Sequence, residues 1–191
     1  MPTSVFLELD EEKRSRIITA ALNEFADKSF GLASTNTIVK SCGISKGSLF
    51  KYFESKEDLY FYLIDVVSAR MAQDMADKIS DLPTDIYERV IAYSSLEISY
   101  YIEHPSEGKL LTNLAAEHNS EIAQKIRERY GDTVRTSYEQ LLQGTGIDKK
   151  RADILRWVLE GFNRDFLECG GSADEYVKSL TEYMDLVRGI L

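Results

Sequence analysis

The run Ser34 to Leu59, STNTIVKSCGISKGSLFKYFESKEDL, decides how this chain folds. It reads as two short helices, about 35–42 and 46–52, around the turn Cys42-Gly43-Ile44-Ser45. Gly43 supplies the backbone freedom a sharp turn requires. Ser34 and Ser45 stand where helix N-caps belong. Ile38, Val39, Ile44, Leu49 and Phe53 are spaced to bury the seam between the two helices and a preceding one. That leaves Lys46, Gly47, Ser48, Lys51 and Tyr52 near or on the outer surface. A helix-turn-helix puts its second helix into the major groove of DNA while flanking groups hold phosphates. The charges agree: from Lys28 to Phe53 there is no acid, and four lysines occur.

Outward from this run, nearly every segment has helical spacing. Upstream, Ile18, Ala21, Leu22 and Phe25 mark a helix over about 10–28, closed by Phe30-Gly31 with Gly31 expected as a left-handed cap. Downstream, Ser55 and Asp58 begin a long helix reaching about Ser80. Leu82-Pro83 breaks the chain, and Thr84 is the expected cap of a helix to His104, where Pro105 stops it. Further helices follow over about 106–116 and 119–143. Gly144-Thr145-Gly146 is a stop, Asp148 caps a helix over 148–168, and Cys169-Gly170-Gly171 ends that one. Ser172 to Glu175 forms a capping box for a last helix, whose Tyr176, Leu180, Tyr183, Val187 and Ile190 share a stripe. About nine helices and no strand predict an all-α protein. A three-helix helix-turn-helix DNA-binding domain over 1–55 (helices about 10–28, 35–42 and 46–52) is followed by a helical ligand-binding and dimerisation domain over 56–191.

The 191 residues carry 23 Lys+Arg against 32 Asp+Glu, a net charge of −9. Basic domains are the usual footprint of nucleic-acid binding, so the total excludes a general nucleic-acid coat. Residues 34–56 nevertheless hold four lysines and one acid, a local positive module. Cys42 and Cys169 match no disulfide framework or zinc spacing, so neither a metal nor a cofactor is expected. The N-terminus has acids where a signal peptide is basic, and no apolar run is long enough to span a bilayer. A reducing, cytoplasmic setting without membrane attachment is the expectation. Nothing reads as an enzyme either. His104 and His118 make no metal motif, Gly144-x-Gly146 lacks the third glycine of a dinucleotide fingerprint, and there is no phosphate-binding lysine loop.

The helix-turn-helix resembles that of the TetR family of transcriptional regulators. The resemblance rests on Phe25-Ala26, Ile38-Val39, Cys42-Gly43-Ile44-Ser45, Gly47, Leu49-Phe50, Tyr52-Phe53, Lys56-Glu57 and Leu59, and covers about residues 13–62. It implies that Ser34 and Thr35 contact phosphates at a helix N-terminus. It makes Lys46, Gly47, Ser48 and Lys51 the recognition surface, with Tyr52 and Lys56 as further phosphate anchors. Phe50 departs from the pattern, which usually has tyrosine there, so a phosphate hydrogen bond is lost while packing is kept. Cys42 stands in place of a usual alanine and is expected to be a small, inert, buried residue.

The resemblance also implies a small-molecule site in the remaining helices and a four-helix dimer interface made by the last two. The helix over 148–168 carries Ile154, Leu155, Trp157, Val158, Leu159, Phe162 and Phe166, more apolar surface than one side of a helix buries. Gly161 in its middle suggests close approach of another backbone. The expected interface is Leu155, Val158, Gly161, Phe162, Phe166, Leu180, Tyr183 and Val187; burial within its own domain would explain the same apolarity. In the helix over 84–104, Tyr93, Glu97, Tyr100 and Tyr101 recur at steps of three and four. An aromatic face with one carboxylate suits a cationic or planar compound. Asn113, His118 and Trp157 join it if the helices pack as the family implies; the other reading makes the tyrosines core residues and Glu97 solvated. The expected function is a homodimeric, ligand-responsive regulator, a repressor, on a near-palindromic double-stranded operator and released by a small-molecule effector. The competing reading is an all-α dimeric interaction or small-molecule-binding protein without DNA binding, which salt-dependent duplex binding would separate.

Overall fold

The computed structural model describes the backbone of residues 1–117 and 121–190, and the side chains of these other than 115, 116, 133–137, 167 and 168. The described residues form ten helices and no strand. These are α1 (Ser4–Leu7), α2 (Glu11–Asp27), α3 (Thr35–Cys42), α4 (Lys46–Tyr52), α5 (Lys56–Ile79), α6 (Ile86–Glu103), α7 (Pro105–Ala116), α8 (Glu121–Leu142), α9 (Lys149–Cys169) and α10 (Ala173–Ile190). Side-chain caps account for several starts. Lys13 N–H donates to Asp10, Asp58 N–H to Ser55 Oγ, and Arg151 N–H to Asp148. Ser172 and Glu175 close a reciprocal capping box at α10.

Three local expectations are corrected. Helix α2 ends on Lys28 in an extended conformation, and Gly31 is not among the left-handed glycines, which are Gly43, Gly144, Gly146 and Gly170. Asp85 rather than Thr84 caps α6, because its carboxylate reaches the Tyr87 and Glu88 amides at 3.0 and 3.1 Å. Helix α1 was not foreseen: four residues have too little propensity to announce themselves, and tertiary contacts hold them.

The chain divides into two compact units. The first comprises Met1–Gln73 and His104–Ala123. Its core gathers Phe6, Ile17, Phe25, Ile38, Leu49 and Phe53 with Leu59, Tyr60, Leu63 and Ile64 of α5 and Leu110 of α7. Helix α7 packs along α2, where Asn113 Nδ2 donates to the Ala26 carbonyl at 2.9 Å. Arg70 and the buried Glu107 form an ion pair at 2.8 Å. Helices α2, α3 and α4 thus do not close a core of their own at residue 55; α5 as far as Gln73, with α7, completes it.

The second unit comprises Asp74–Glu103 and Gln124–Leu191. Val90, Ile98, Leu141, Leu155, Leu159, Tyr176, Leu180 and Met184 form its core, with α10 lying against α6. Arg89 fastens the segment after α8: its guanidinium donates to the carbonyls of Pro83, Leu141 and Gln143. Leu155 and Leu180 are 1% and 0% exposed, so they are core residues of this unit with no surface to offer a second chain. This corrects their place in the expected interface. The stripe expected on α10 likewise splits, Tyr176 and Leu180 facing in with Met184, and Tyr183 and Ile190 facing out with Leu186.

Candidate nucleic-acid interface

Helix α3 ends on Gly43, whose φ of 69° and ψ of 34° lie in the left-handed region. A side chain there would meet open space, so the requirement for glycine is one of backbone strain and not of room. The Ile44 amide reaches back to the Val39 carbonyl at 3.1 Å, and the chain re-enters a helix two residues later. Ser45 is the cap of α4: its Oγ accepts from Ser48 N–H at 3.0 Å and lies 2.8 Å from Ser48 Oγ.

Seven residues make α4, and they divide cleanly. Leu49 and Tyr52 face the core, whereas Lys46, Gly47, Phe50 and Lys51 are exposed and Ser48 is half-buried. At 100° per residue the four exposed positions fill an arc of about 140°, with Phe50 between Lys46 and Gly47. A phenylalanine 41% exposed at the middle of a cationic face is costly in water and available to a partner.

The flanking residues predicted to anchor phosphates are placed differently from one another. Thr35 opens α3 and is half-buried. Ser34 makes no side-chain cap; its amide donates instead to Glu24 Oε1 at 2.8 Å, which also receives Lys28 Nζ at 2.8 Å. Burial raises the Glu24 carboxyl, but Lys28 and the Ser34 amide more than offset this and hold it below its ordinary value. Tyr52 is 6% exposed, so the expectation of an outer-surface tyrosine is corrected; its ring packs 5.9 Å from that of Phe6. The Lys56 ammonium donates to the carbonyls of Phe30 and Ala33 at 2.7 and 3.0 Å and lies 4.4 Å above the Phe30 ring. It therefore fastens the α2–α3 connection. Cys42 is buried, and burial pushes its thiol above the ordinary value.

Residues 17–63, which take in α3, α4 and the Lys56 contacts, match the family described as bacterial regulatory proteins, tetR family. The uncharacterized HTH-type transcriptional regulator YuxN of Bacillus subtilis is 30% identical over 169 residues, 83% of this chain and 55% of that protein. The chain belongs to the TetR family. A TetR family transcriptional regulator from Chloroflexus aurantiacus has the same fold, with a TM-score of 0.67, 24% identity, and 100% and 96% of the two chains covered. So does the regulator FadR of Bacillus subtilis in complex with stearoyl-CoA, at a TM-score of 0.67, 18% identity, and 89% and 96% coverage. The chain spans about half the length of the curated relatives it matches.

The second constellation expected of a TetR-family chain lies partly in the second unit. Tyr93, Glu97 and Tyr101 are half-buried on α6 and Tyr100 is buried. Burial drives the Glu97 carboxyl up to about 7, against a hydrogen bond from the Tyr93 hydroxyl that lowers it. Burial and then the Glu97 charge push the phenols of Tyr93 and Tyr101 well above their ordinary value. Sequence reasoning missed two neighbours, one contributed by α10 and one by another turn of α6. Tyr176 of α10 is buried and donates to Asn163 at 2.5 Å. Ser94 is fully buried, and its hydroxyl faces the Tyr176 phenol without meeting hydrogen-bond geometry. Asn113 belongs to the first unit, where it caps α2, and His118 lies outside the described residues. Trp157 is 60% exposed, on the outer side of α9. Among the described residues no cluster of His, Cys, Asp and Glu is arranged to hold a metal, and no helix is long and apolar enough to cross a membrane.

Proposed function

We propose that this protein is a homodimeric, ligand-responsive repressor that reads a near-palindromic duplex and leaves it when a small molecule binds the second unit. The observation that carries the reading is the division of α4. Two side chains anchor the helix in the core, while Lys46, Gly47, Phe50 and Lys51 form one exposed arc. Lysines there meet phosphates or guanine edges, and an apolar ring meets the thymine methyl group. Ser34, Thr35 and Ser48 are taken as phosphate contacts; Tyr52 anchors α4 in the core and Lys56 fastens the α2–α3 connection.

Two copies are needed to read two half-sites in successive major grooves. The outer faces of α9 and α10 supply the apolar surface for pairing. Trp157, Tyr183 and Leu186 are exposed, and Val158, Gly161, Phe162, Phe166 and Val187 are half-buried around them. The effector reading rests on Tyr93, Glu97, Tyr100 and Tyr101, joined by Tyr176 and Ser94. A half-buried carboxyl held near neutrality among phenols favours a cationic or planar aromatic compound, which needs only to prefer the form that does not fit DNA.

The test is selection of duplexes from a random-sequence pool, followed by binding of the enriched duplex at increasing salt. The wild type should lose affinity steeply with salt. Lys46→Ala and Lys51→Ala should weaken binding while the protein remains dimeric. Unchanged binding in both variants overturns the assignment of α4. Tetraphenylphosphonium as a cationic probe should release the duplex and Glu97→Gln should blunt that release; release by stearoyl-CoA alone would reverse the effector class.

A further inference from the structure

Residues 1–9 precede the family match, yet they are folded against the recognition helix. The Thr3 amide donates to the Tyr52 carbonyl at 2.9 Å, and Thr3 Oγ1 donates to the Lys51 carbonyl at 2.8 Å. A helix leaves its last carbonyls without partners inside the helix. In α4 the Leu49 carbonyl receives the Phe53 amide, and the last two carbonyls are both taken by Thr3. Phe6 follows as a wedge. It is fully buried, with its ring 4.7 Å from Phe53, 5.5 Å from Tyr62 of α5 and 5.9 Å from Tyr52. Arg14 of α2 donates to the Leu7 carbonyl at 3.0 Å and closes the far end of the segment. One short stretch therefore touches α4, α5 and α2 together.

We propose that Thr3–Leu7 is a positioning clamp for the recognition helix. It caps the C-terminal carbonyls of α4 and wedges Phe6 under Tyr52, so the aim of Lys46, Gly47, Phe50 and Lys51 depends on a segment that contributes none of those side chains. The need is physical. A seven-residue helix has little cooperativity of its own, and α4 enters its structure through a flexible glycine turn. Its N-terminal end is fixed by Ser45; at the other end the clamp adds its hydrogen bonds to the packing of Tyr52 and Phe53. A reading surface must hold its geometry within a fraction of an ångström to discriminate, and a dimer incurs any misalignment at both heads.

The inference rests on the DNA-reading role of α4, and the experiment separates the two. Full-length Thr3→Val, Thr3→Ser, Phe6→Ala and Phe6→Leu variants are compared with the wild type on the duplex that the wild type enriches from a random-sequence pool. Hydrogen exchange is followed at the α3 amides and at those of Phe50–Phe53. Thr3→Val keeps the side-chain shape and loses the hydroxyl, so it should weaken binding about threefold for each head and about tenfold for a dimer. Thr3→Ser should restore wild-type affinity. Exchange at Phe50–Phe53 should accelerate in Thr3→Val while the α3 amides keep their protection. Phe6→Ala should show the same pattern more strongly, and Phe6→Leu should recover most of it. Wild-type affinity and wild-type α4 exchange in Thr3→Val overturn the clamp. So does a Phe6→Ala variant in which α3 and α4 lose protection in parallel, since Phe6 would then be only a core residue. If the wild type enriches no duplex, the DNA reading fails, and the exchange measurements still decide whether this segment fixes α4.

Discussion

Replacing Glu97 by glutamine removes a titration that reports on the interior of the second unit. Burial raises this carboxyl from 4.5 to about 7. Below pH 4.5 it is protonated in both the folded and the unfolded chain, and its contribution to stability is full. Between 4.5 and about 7 the folded chain keeps a proton that the unfolded chain has released, so stability falls as pH rises. Above about 7 both forms are ionised and the loss is complete. At about 1.4 kcal/mol per pH unit the loss reaches roughly 3 kcal/mol. Glutamine keeps the shape and can still accept from Tyr93, but does not titrate. The unfolding free energy of Glu97→Gln relative to wild type should therefore rise by about 3 kcal/mol between pH 4.5 and pH 8, most of it before pH 7. Urea unfolding at five pH values, with the denaturant slope checked for constancy, measures it. A difference that does not change with pH refutes the burial argument. A wild type that gains stability relative to glutamine over the same range would mean that Glu97 is held by a cation.

Three further outcomes follow from the geometry. Gly43→Ala forces a side chain into left-handed backbone and should cost about 1 kcal/mol in urea unfolding, with Gly43→Asn costing less. Lys56→Met loses two charge-assisted bonds to carbonyls and should destabilise the first unit by about 2 kcal/mol; wild-type stability would show that Lys56 does not fasten the α2–α3 connection. Trp157→Glu places a charge at the centre of the exposed α9 face and should weaken self-association by about 2 kcal/mol or more, as read by sedimentation equilibrium. An unaltered association constant would move the interface elsewhere.

Local chemistry made the helix-turn-helix legible. A glycine in the turn, a serine cap and a two-faced helix act within a few residues, and the structure places them over 35–42 and 46–52 as the pattern predicts. What escaped the sequence depends on distant partners. Thr3 and Phe6 acquire meaning only beside Tyr52 and Phe53, about fifty residues on. Tyr52 and Lys56 look like surface groups until Phe6 and the Phe30 and Ala33 carbonyls claim them. Leu155 and Leu180 belong to apolar stripes wide enough to face either a core or a partner, and periodicity alone does not choose between those. Glu97 was visible on its helix face, but its burial comes from the unit packed around it, in which Tyr176 of α10 is one neighbour.

The division of α4 has a consequence for how such a protein changes over generations. Leu49 and Tyr52 hold the helix, and Lys46, Gly47, Phe50 and Lys51 face outward. Substitutions at solvent-facing positions of this kind shift stability by only about 0.5 kcal/mol. Lys46, Phe50 and Lys51 are therefore cheap to exchange, and on the reading of α4 proposed above each exchange alters which duplex is preferred without unfolding the module. A lineage carrying this scaffold can drift from one regulatory target to another through viable intermediates, whereas its inward residues stay locked by packing.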